Sequence, residues 1–220
     1  MKEIIFIGSV HDEIGASNST ELFKIFESIS LDVIFIEFDT EHYNGMISGQ
    51  YLDKLETSAI KLYLAKKKVR VVPVDLNWYP IMEPIMEDGF REMTKTFYQN
   101  AKFIRSISYF SEHSEMVGFK FLNSQDCLEV LDYKQNIERE ILDKYGNDHF
   151  NNLYTRYRQM HHDREMEMLK NTYNFSTQNQ YRIAIFLVGT EHKRSIIDKV
   201  QVFEDKYDMK IKWNFNFFNL

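Results

Sequence analysis

The sequence predicts an α/β fold in which a central, largely parallel sheet is flanked by helices and a large all-helical insertion occupies the middle of the chain. Three observations predict it. Short apolar runs lie near both ends of the chain, helical patterns separate the first three of these runs, and about residues 80–175 are almost wholly helical in pattern. The 220 residues suffice for one sizeable core, so we expect a single domain over residues 1–220.

Four runs have the composition of strands that are covered on both faces. They are mainly β-branched or aromatic and show little polar alternation; they span residues 4–7, 33–38, 69–74 and 183–188. Arg70 and Pro73 interrupt the third run, and because proline cannot donate to a ladder it indicates a strand end or an edge. A strand-like stretch at 209–213 follows near the end of the sequence.

The segments between the first three runs have apolar residues at helical spacing. After a cap at Ser19 or Thr20, one apolar face is formed by Leu22, Phe23, Phe26 and Ile29. Residues 51–68 show the same spacing. Strands that alternate with helices in this way pair in parallel through right-handed crossovers.

The insertion, about residues 80–175, divides into long helical patterns. An apolar stripe from Met86 to Ile107 predicts one helix. A second helix is predicted over residues 126–145, where Gly146 ends it, and a third over about residues 148–173. A further helix is expected from about 192 to 203, after the fourth strand.

Composition excludes several classes of function. The net charge of −6 gives no reason to expect binding to nucleic acid or to an anionic membrane, and the lone Cys127 excludes an internal disulfide or a cysteine-rich metal site. No apolar run approaches the roughly 18–20 residues of a membrane helix, and none resembles a signal-peptide core. We therefore expect a soluble, cytoplasmic protein. Phosphate-binding glycine loops, the serine-hydrolase elbow and the zincin motif are also missing from the sequence.

Ionisable residues follow every predicted strand, at the edge where parallel sheets bind ligands. They include His11, Asp12 and Glu13 after the first strand, Glu37 and Asp39 in and at the end of the second, Asp75 after the third, and Glu191 and His192 after the fourth. The first and fourth strands both run into Gly-x-x-His, as Gly8-Ser9-Val10-His11 and Gly189-Thr190-Glu191-His192. The glycine permits a tight turn or a close approach of other atoms. Trp78 and Tyr79, after the third strand, either pack internally or line the rim of a pocket.

Glu37 and Arg164 carry charge into predicted core positions. Glu37 stands between Ile36 and Phe38, and a buried carboxylate needs a cation, a metal or a proton. Arg164 falls on the inward stripe of the long helix. Either it forms a structural ion pair with Glu37 or Asp75, or it binds a substrate carboxylate or stabilises an oxyanion.

Two imidazoles and a carboxylate suit a divalent metal with an open coordination position. His11, Glu37 and His192 are the expected ligands, and Mn²⁺, Co²⁺ or Zn²⁺ the expected ions. The same set without a metal suits a general base and its electrostatic partner.

The order of these landmarks resembles the TraB/PrgY/TIKI family, within a broader group that includes erythromycin-esterase-like and ChaN-like proteins. The landmarks are Gly-x-x-His, the Phe35-Ile36-Glu37-Phe38-Asp39 strand end, Arg164-x-x-x-Met168 and the second Gly-x-x-His. The resemblance implies a helix-flanked sheet, a site of two histidines, a glutamate and an arginine, and, in the TIKI branch, metal-dependent peptidase activity. The sequence departs from the esterase-like relatives at Gly8, where they place a glutamate.

Three functions remain open on this evidence. The first is metal-dependent hydrolysis of a peptide or amide bond, with Glu191 or Asp75 accepting the proton and Arg164 steadying the oxyanion. The second is metal-free hydrolysis of a small ester or lactone by one of the histidines, oriented by Glu37. The third is non-catalytic binding of a peptide or small molecule, with the helical insertion as the recognition surface.

Overall fold

The computed structural model describes residues 1–218 and contains a five-stranded sheet. Its strands are β1 (Glu3–Ser9), β2 (Val33–Ile36), β3 (Arg70–Pro73), β4 (Ile183–Gly189) and β5 (Lys212–Asn214). Their order is β3-β2-β4-β1-β5, and every neighbouring pair is parallel. The predicted fold class is confirmed, and β3, which ends at Pro73, is an edge strand.

Helices lie between successive strands along the chain, as predicted. Between the first three strands lie α1 (Ser19–Glu27), α2 (Thr40–Ser48) and α3 (Leu55–Leu64). Between β3 and β4 lie α4 (Tyr79–Ile85), α5 (Arg91–Phe97), α6 (Ala101–Met116), α7 (Phe119–Leu122), α8 (Gln125–Tyr145) and α9 (Asp148–Gln178). The last helix of the described residues, α10 (Lys193–Tyr207), connects β4 to β5.

The sheet is covered on both faces, which explains why its strands lack polar alternation. Ile5 and Ile7 point to one face, where they join a buried cluster with apolar residues of α1 and α3. Ile4 and Phe6 point to the other, where they join residues of α9 and α10. Successive strand residues thus alternate between two cores, and both sets are apolar.

The prediction of one helix along the stripe from Met86 to Ile107 is wrong. A π-helical turn (Met86–Phe90) with Gly89 at φ +105° separates α4 from α5, and the side chain of Asn100 caps α6. The apolar spacing persists across the breaks because Met93 and Phe103 from the separate helices enter one buried cluster. The apolar spacing of this stripe therefore indicates that the residues pack into the same core, and it does not indicate that they belong to one continuous helix.

Among residues 1–218 the structure contains no helix with the length and apolar character that crossing a bilayer requires.

Candidate active site

Three of the predicted residues meet at the carboxyl ends of three adjacent strands. β4 lies between β1 and β2, so His11 after β1, Glu37 after β2 and His192 after β4 leave the sheet side by side. Oε1 of Glu37 lies 3.3 Å from Nε2 of His192 and 3.9 Å from Nε2 of His11. Both imidazoles thus turn the same nitrogen toward one carboxylate.

Gly189 permits this convergence by leaving space. Its φ of −54° is open to any residue, so backbone freedom is not the reason for glycine. A Cβ at this position would lie 3.3 Å from Oε2 of Glu37, 3.7 Å from Nε2 of His11 and 3.8 Å from Cδ2 of His192. The Gly189 amide also donates to Oε2 of Glu37 at 2.5 Å. The glycine of the second Gly-x-x-His is therefore a close-approach position.

Arg164, from the buried face of α9, joins the cluster as a cation with two carboxylate partners. Its Nη2 donates to Oε1 of Glu37 at 2.5 Å and to Oδ2 of Asp75 at 2.6 Å, and its Nε donates to Oδ2 of Asp75 at 3.0 Å. All three side chains are buried. Burial alone would raise the pKa of Glu37, but His192 and Arg164 hold that pKa well below its usual range. Glu37 is therefore an ionised carboxylate in the floor of the site.

A carboxylate that the sequence interpretation missed orients His11. Glu56, from α3, is 2% exposed, and its Oε1 accepts hydrogen bonds from Nδ1 of His11 at 3.2 Å and from Oγ of Ser9 at 2.6 Å. Its position carried a signal: it precedes the buried Ala59, Ile60 and Tyr63 by three, four and seven residues, which places it on the apolar stripe of its helix.

The contact with Glu56 fixes the chemistry of the His11 ring. A proton held on Nδ1 leaves Nε2 as the nitrogen that faces Glu37, with a lone pair whenever the ring is neutral. Desolvation opposes the charged ring, but the hydrogen bond that the ring donates to Glu56 and the charge of Glu37 raise the pKa of His11 to about 9. The imidazole side chain is 48% exposed, so water reaches it.

His192 has the same arrangement but is enclosed. Its Nδ1 donates to Oε1 of Glu165 at 2.8 Å, and Oε2 of Glu165 accepts from Ser195 at 2.5 Å and Lys199 at 2.8 Å. Burial opposes the charge of His192, yet Glu37 and Glu165 raise its pKa to about 9. Burial likewise acts against the Glu165 carboxylate, but the hydrogen bonds from His192, Lys199 and Ser195 lower its pKa to about 2.

Glu165 was also missed from the sequence, although it carried the same signal as Glu56. It precedes the buried Met168, Leu169 and Thr172 by three, four and seven residues. Both carboxylates stand on inward helix faces, and each binds the Nδ1 atom of one site histidine.

A cavity of about 360 Å³ opens beside this cluster. His11, Glu37 and Arg164 reach its surface, whereas His192 lies behind Glu37. The other walls include side chains from the segments after β2 and β3, namely Phe38, His42, Met46, Asn77, Trp78 and Tyr79. The ion pair of Arg164 with Glu37 therefore leaves room for a ligand.

Two predicted catalytic residues are not part of the cavity wall. The carboxylate of Glu191 binds Lys134 of α8 at 2.8 Å and faces a different depression. Asp75 lies behind Arg164, to which it is paired. Neither carboxylate is placed where it could take a proton from a water molecule in the cavity.

No known protein family, curated protein or solved structure matches this chain. Membership of the TraB/PrgY/TIKI family therefore stays a prediction.

The donor set around Glu37 does not fit a metal ion in this arrangement. Within residues 1–218 no group of three or more His, Cys, Asp or Glu side chains has the geometry to hold one. The reason is visible in the contacts: Arg164 occupies Oε1 of Glu37, and the Gly189 amide occupies Oε2. A metal ion would also have to displace a proton from each imidazole near neutral pH, because the pKa of both rings is raised to about 9. The guanidinium supplies the positive charge at the place where the sequence suggested an ion.

Proposed function

We propose that the protein is a metal-independent hydrolase of a small ester or lactone, with His11 as its general base. One observation carries the proposal: Nδ1 of His11 is bound to the buried carboxylate of Glu56, while the half-exposed ring lines a cavity whose floor is an ion pair. A carboxylate that fixes the tautomer and orientation of a histidine at a ligand cavity is a recurrent arrangement in acyl transfer.

The reaction needs only water as co-substrate. Nε2 of neutral His11 takes a proton from a water molecule as the water oxygen attacks the carbonyl carbon of the ester. The resulting tetrahedral intermediate carries the negative charge on the former carbonyl oxygen. Its collapse breaks the bond between the carbonyl carbon and the alcohol oxygen, and the leaving alkoxide takes the proton from Nε2. A carboxylic acid and an alcohol result, or a hydroxy acid from a lactone.

Glu37 and Arg164 supply the electrostatics of this reaction. The Glu37 carboxylate, 3.9 Å from Nε2 of His11, stabilises the imidazolium that forms in the transition state. Arg164 holds that carboxylate ionised and places a guanidinium at the cavity surface, where it stabilises the oxyanion. His192 holds the far side of Glu37 and acts as a positioning residue.

The test is hydrolysis of p-nitrophenyl acetate and of a simple γ-lactone by protein that has been treated with a chelator. His11→Asn should lower kcat/KM by about 10²- to 10⁴-fold. Because exposed imidazoles hydrolyse activated esters weakly, the matched control is His162→Asn, which removes an exposed histidine of α9 that does not line the cavity. Equal rates for wild type and His11→Asn overturn the proposal.

A further inference from the structure

We infer that the substrate of this hydrolase is uncharged and carries an aromatic or similarly bulky apolar group, which binds against Trp78 and Tyr79. The inference rests on the proposed function, because it concerns the same cavity. Two sets of observations carry it, namely the apolar wall of the cavity and the pairing of its charges.

The wall is formed by large apolar side chains from two separate segments. Phe38 and Met46 follow β2, whereas Trp78 and Tyr79 follow β3. Trp78 is 37% exposed and Tyr79 58% exposed. Large aromatic side chains that are exposed together at the rim of a concave site are typical of a surface that a ligand covers.

Arg164 fixes the position of the Trp78 ring. The guanidinium carbon lies 5.3 Å from the centroid of the indole, within the range of a cation–π contact. The aromatic wall is thereby joined to the ion pair at the floor. A ligand that packs on Trp78 consequently has its polar end near His11 and Arg164, which is where the proposed reaction needs a carbonyl group.

The charges of the wall are already paired, which argues against an ionic substrate. Lys54 binds Asp12 at 2.8 Å and Nδ1 of His42 lies 2.6 Å from Asp39. His11 and Arg164 are bound to their own carboxylates, as described above. A substrate carboxylate would have to compete with a partner already bound to each cation, whereas an uncharged group meets no such cost.

The volume is consistent with a single aromatic group and its ester. About 360 Å³ lies at the lower end of the roughly 300–1,000 Å³ that ligand pockets span.

Binding is measured with uncleavable amides in place of esters, so that it is independent of catalysis. The sequence contains two tryptophans, and Trp213→Phe leaves Trp78 as the sole tryptophan, whose emission is followed selectively. The fluorescence of this variant is titrated with N-benzylbenzamide, its 4-carboxylate derivative and N-ethylacetamide. The neutral aromatic amide should bind at least about tenfold more tightly than either of the others. Equal affinities, or preference for the carboxylate, overturn the inference.

Variants of the wall give the second measurement, by calorimetric titration in the natural background. Trp78→Ala and Tyr79→Ala should each raise the Kd of N-benzylbenzamide, the former by about tenfold. Tyr133→Ala is the matched control, since Tyr133 is 50% exposed and lies outside the cavity. Because Tyr79 is largely exposed, Tyr79→Ala should fold and can be measured even if Trp78→Ala does not fold. Unchanged affinity in the folded variants overturns the inference.

The outcomes separate this inference from the proposed function. Selective binding of the neutral aromatic amide without hydrolysis of any ester supports the inference about the cavity and contradicts the proposed function. Hydrolysis that depends on His11 but shows no preference for aromatic esters supports the proposed function and overturns the inference.

Discussion

Nδ1 of His11 lies 3.2 Å from Oε1 of Glu56, a carboxylate that stands 45 residues further along the chain. The same Glu56 oxygen accepts from Ser9, whereas Oε2 of Glu56 is the one buried side-chain oxygen or nitrogen of the described residues that has no hydrogen-bond partner. Leaving a buried carboxylate oxygen without a donor costs free energy. We therefore interpret Glu56 as a residue that orients His11 at some cost in stability.

Glu56→Gln should lower kcat/KM for ester hydrolysis by about 10²-fold or more. If the amide NH₂ faces Nδ1, it favours the tautomer whose Nε2 carries the proton, and the lone pair is lost from the cavity. The pKa of His11 should fall at the same time, because the carboxylate that raises it is gone. Steady-state kinetics and NMR titration of the His11 ring measure the two effects.

The control for this substitution is Glu21→Gln, which removes a carboxylate from the first turn of α1. Its kinetics should match those of the wild type. A Glu56→Gln protein that keeps full activity and an unchanged His11 pKa would contradict the role assigned to Glu56.

Ester hydrolysis should increase with pH up to about 9. The base is neutral His11, and a pKa of about 9 means that only about one hundredth of it is neutral at pH 7. The enzymatic kcat/KM should therefore rise about tenfold per pH unit below this value and level off above it. Rates are corrected for hydroxide-catalysed background with His11→Asn. A profile that is flat between pH 6 and 8 would show that another group is the base.

The combined contribution of His192 and Glu165 to the free energy of unfolding should be greatest between about pH 4.5 and 6.5. The pKa of Glu165 falls from 4.5 to about 2 on folding, so its contribution is complete above pH 4.5 and is lost as the pH falls toward 2. The pKa of His192 rises from 6.5 to about 9, so its contribution is complete below pH 6.5 and is lost as the pH rises through 9.

Urea unfolding at a series of pH values measures these two limbs. Glu165→Gln should flatten the acid limb and His192→Gln the alkaline limb, whereas His113→Gln should leave both in place. An alkaline limb that is unchanged in His192→Gln would contradict the pairing of His192 with the two carboxylates.

Arg164→Met should destabilise the protein by about 3–5 kcal/mol, because it leaves two carboxylates buried without their cation. The triple variant that also carries Glu37→Gln and Asp75→Asn should recover part of the loss. Arg194→Met is the matched control, since the pair of Arg194 with Asp132 is 43% exposed on both sides and should contribute less than about 1 kcal/mol. Equal losses in Arg164→Met and Arg194→Met would be evidence against a buried ion pair.

Removal of metal ions should change neither the activity nor the thermal stability of the protein. Arg164 occupies the carboxylate oxygen that a metal would need, so Mn²⁺, Co²⁺ or Zn²⁺ should not raise Tm after treatment with a chelator. Differential scanning calorimetry and metal analysis of the purified protein measure this. Stoichiometric binding that is abolished in the His11→Ala/His192→Ala double variant would instead restore the metal-dependent mechanism.

The sequence was sufficient for a parallel sheet covered on both faces and for the meeting of His11, Glu37 and His192 at its edge. Apolar runs with no polar alternation indicated strands covered on both faces, and the parallel topology then required residues that follow the strands to lie together. His11, Glu37 and His192 converge for this reason, and the helical stripe that contains Arg164 brought it to the same place.

Tertiary structure decided which partner each of these groups has. Glu56 and Glu165 lie on helices that the sequence does not connect to either histidine, and only packing of α3 and α9 on the sheet brings them to Nδ1 of His11 and His192. The same packing sends Glu191 to Lys134 and places Arg164 where a metal was expected. Residue type and the local hydrophobic period determine which side chains are buried. The distances between charged groups depend on how separate helices and strands pack, and these distances decide whether the groups form a metal site, a general base or an ion pair.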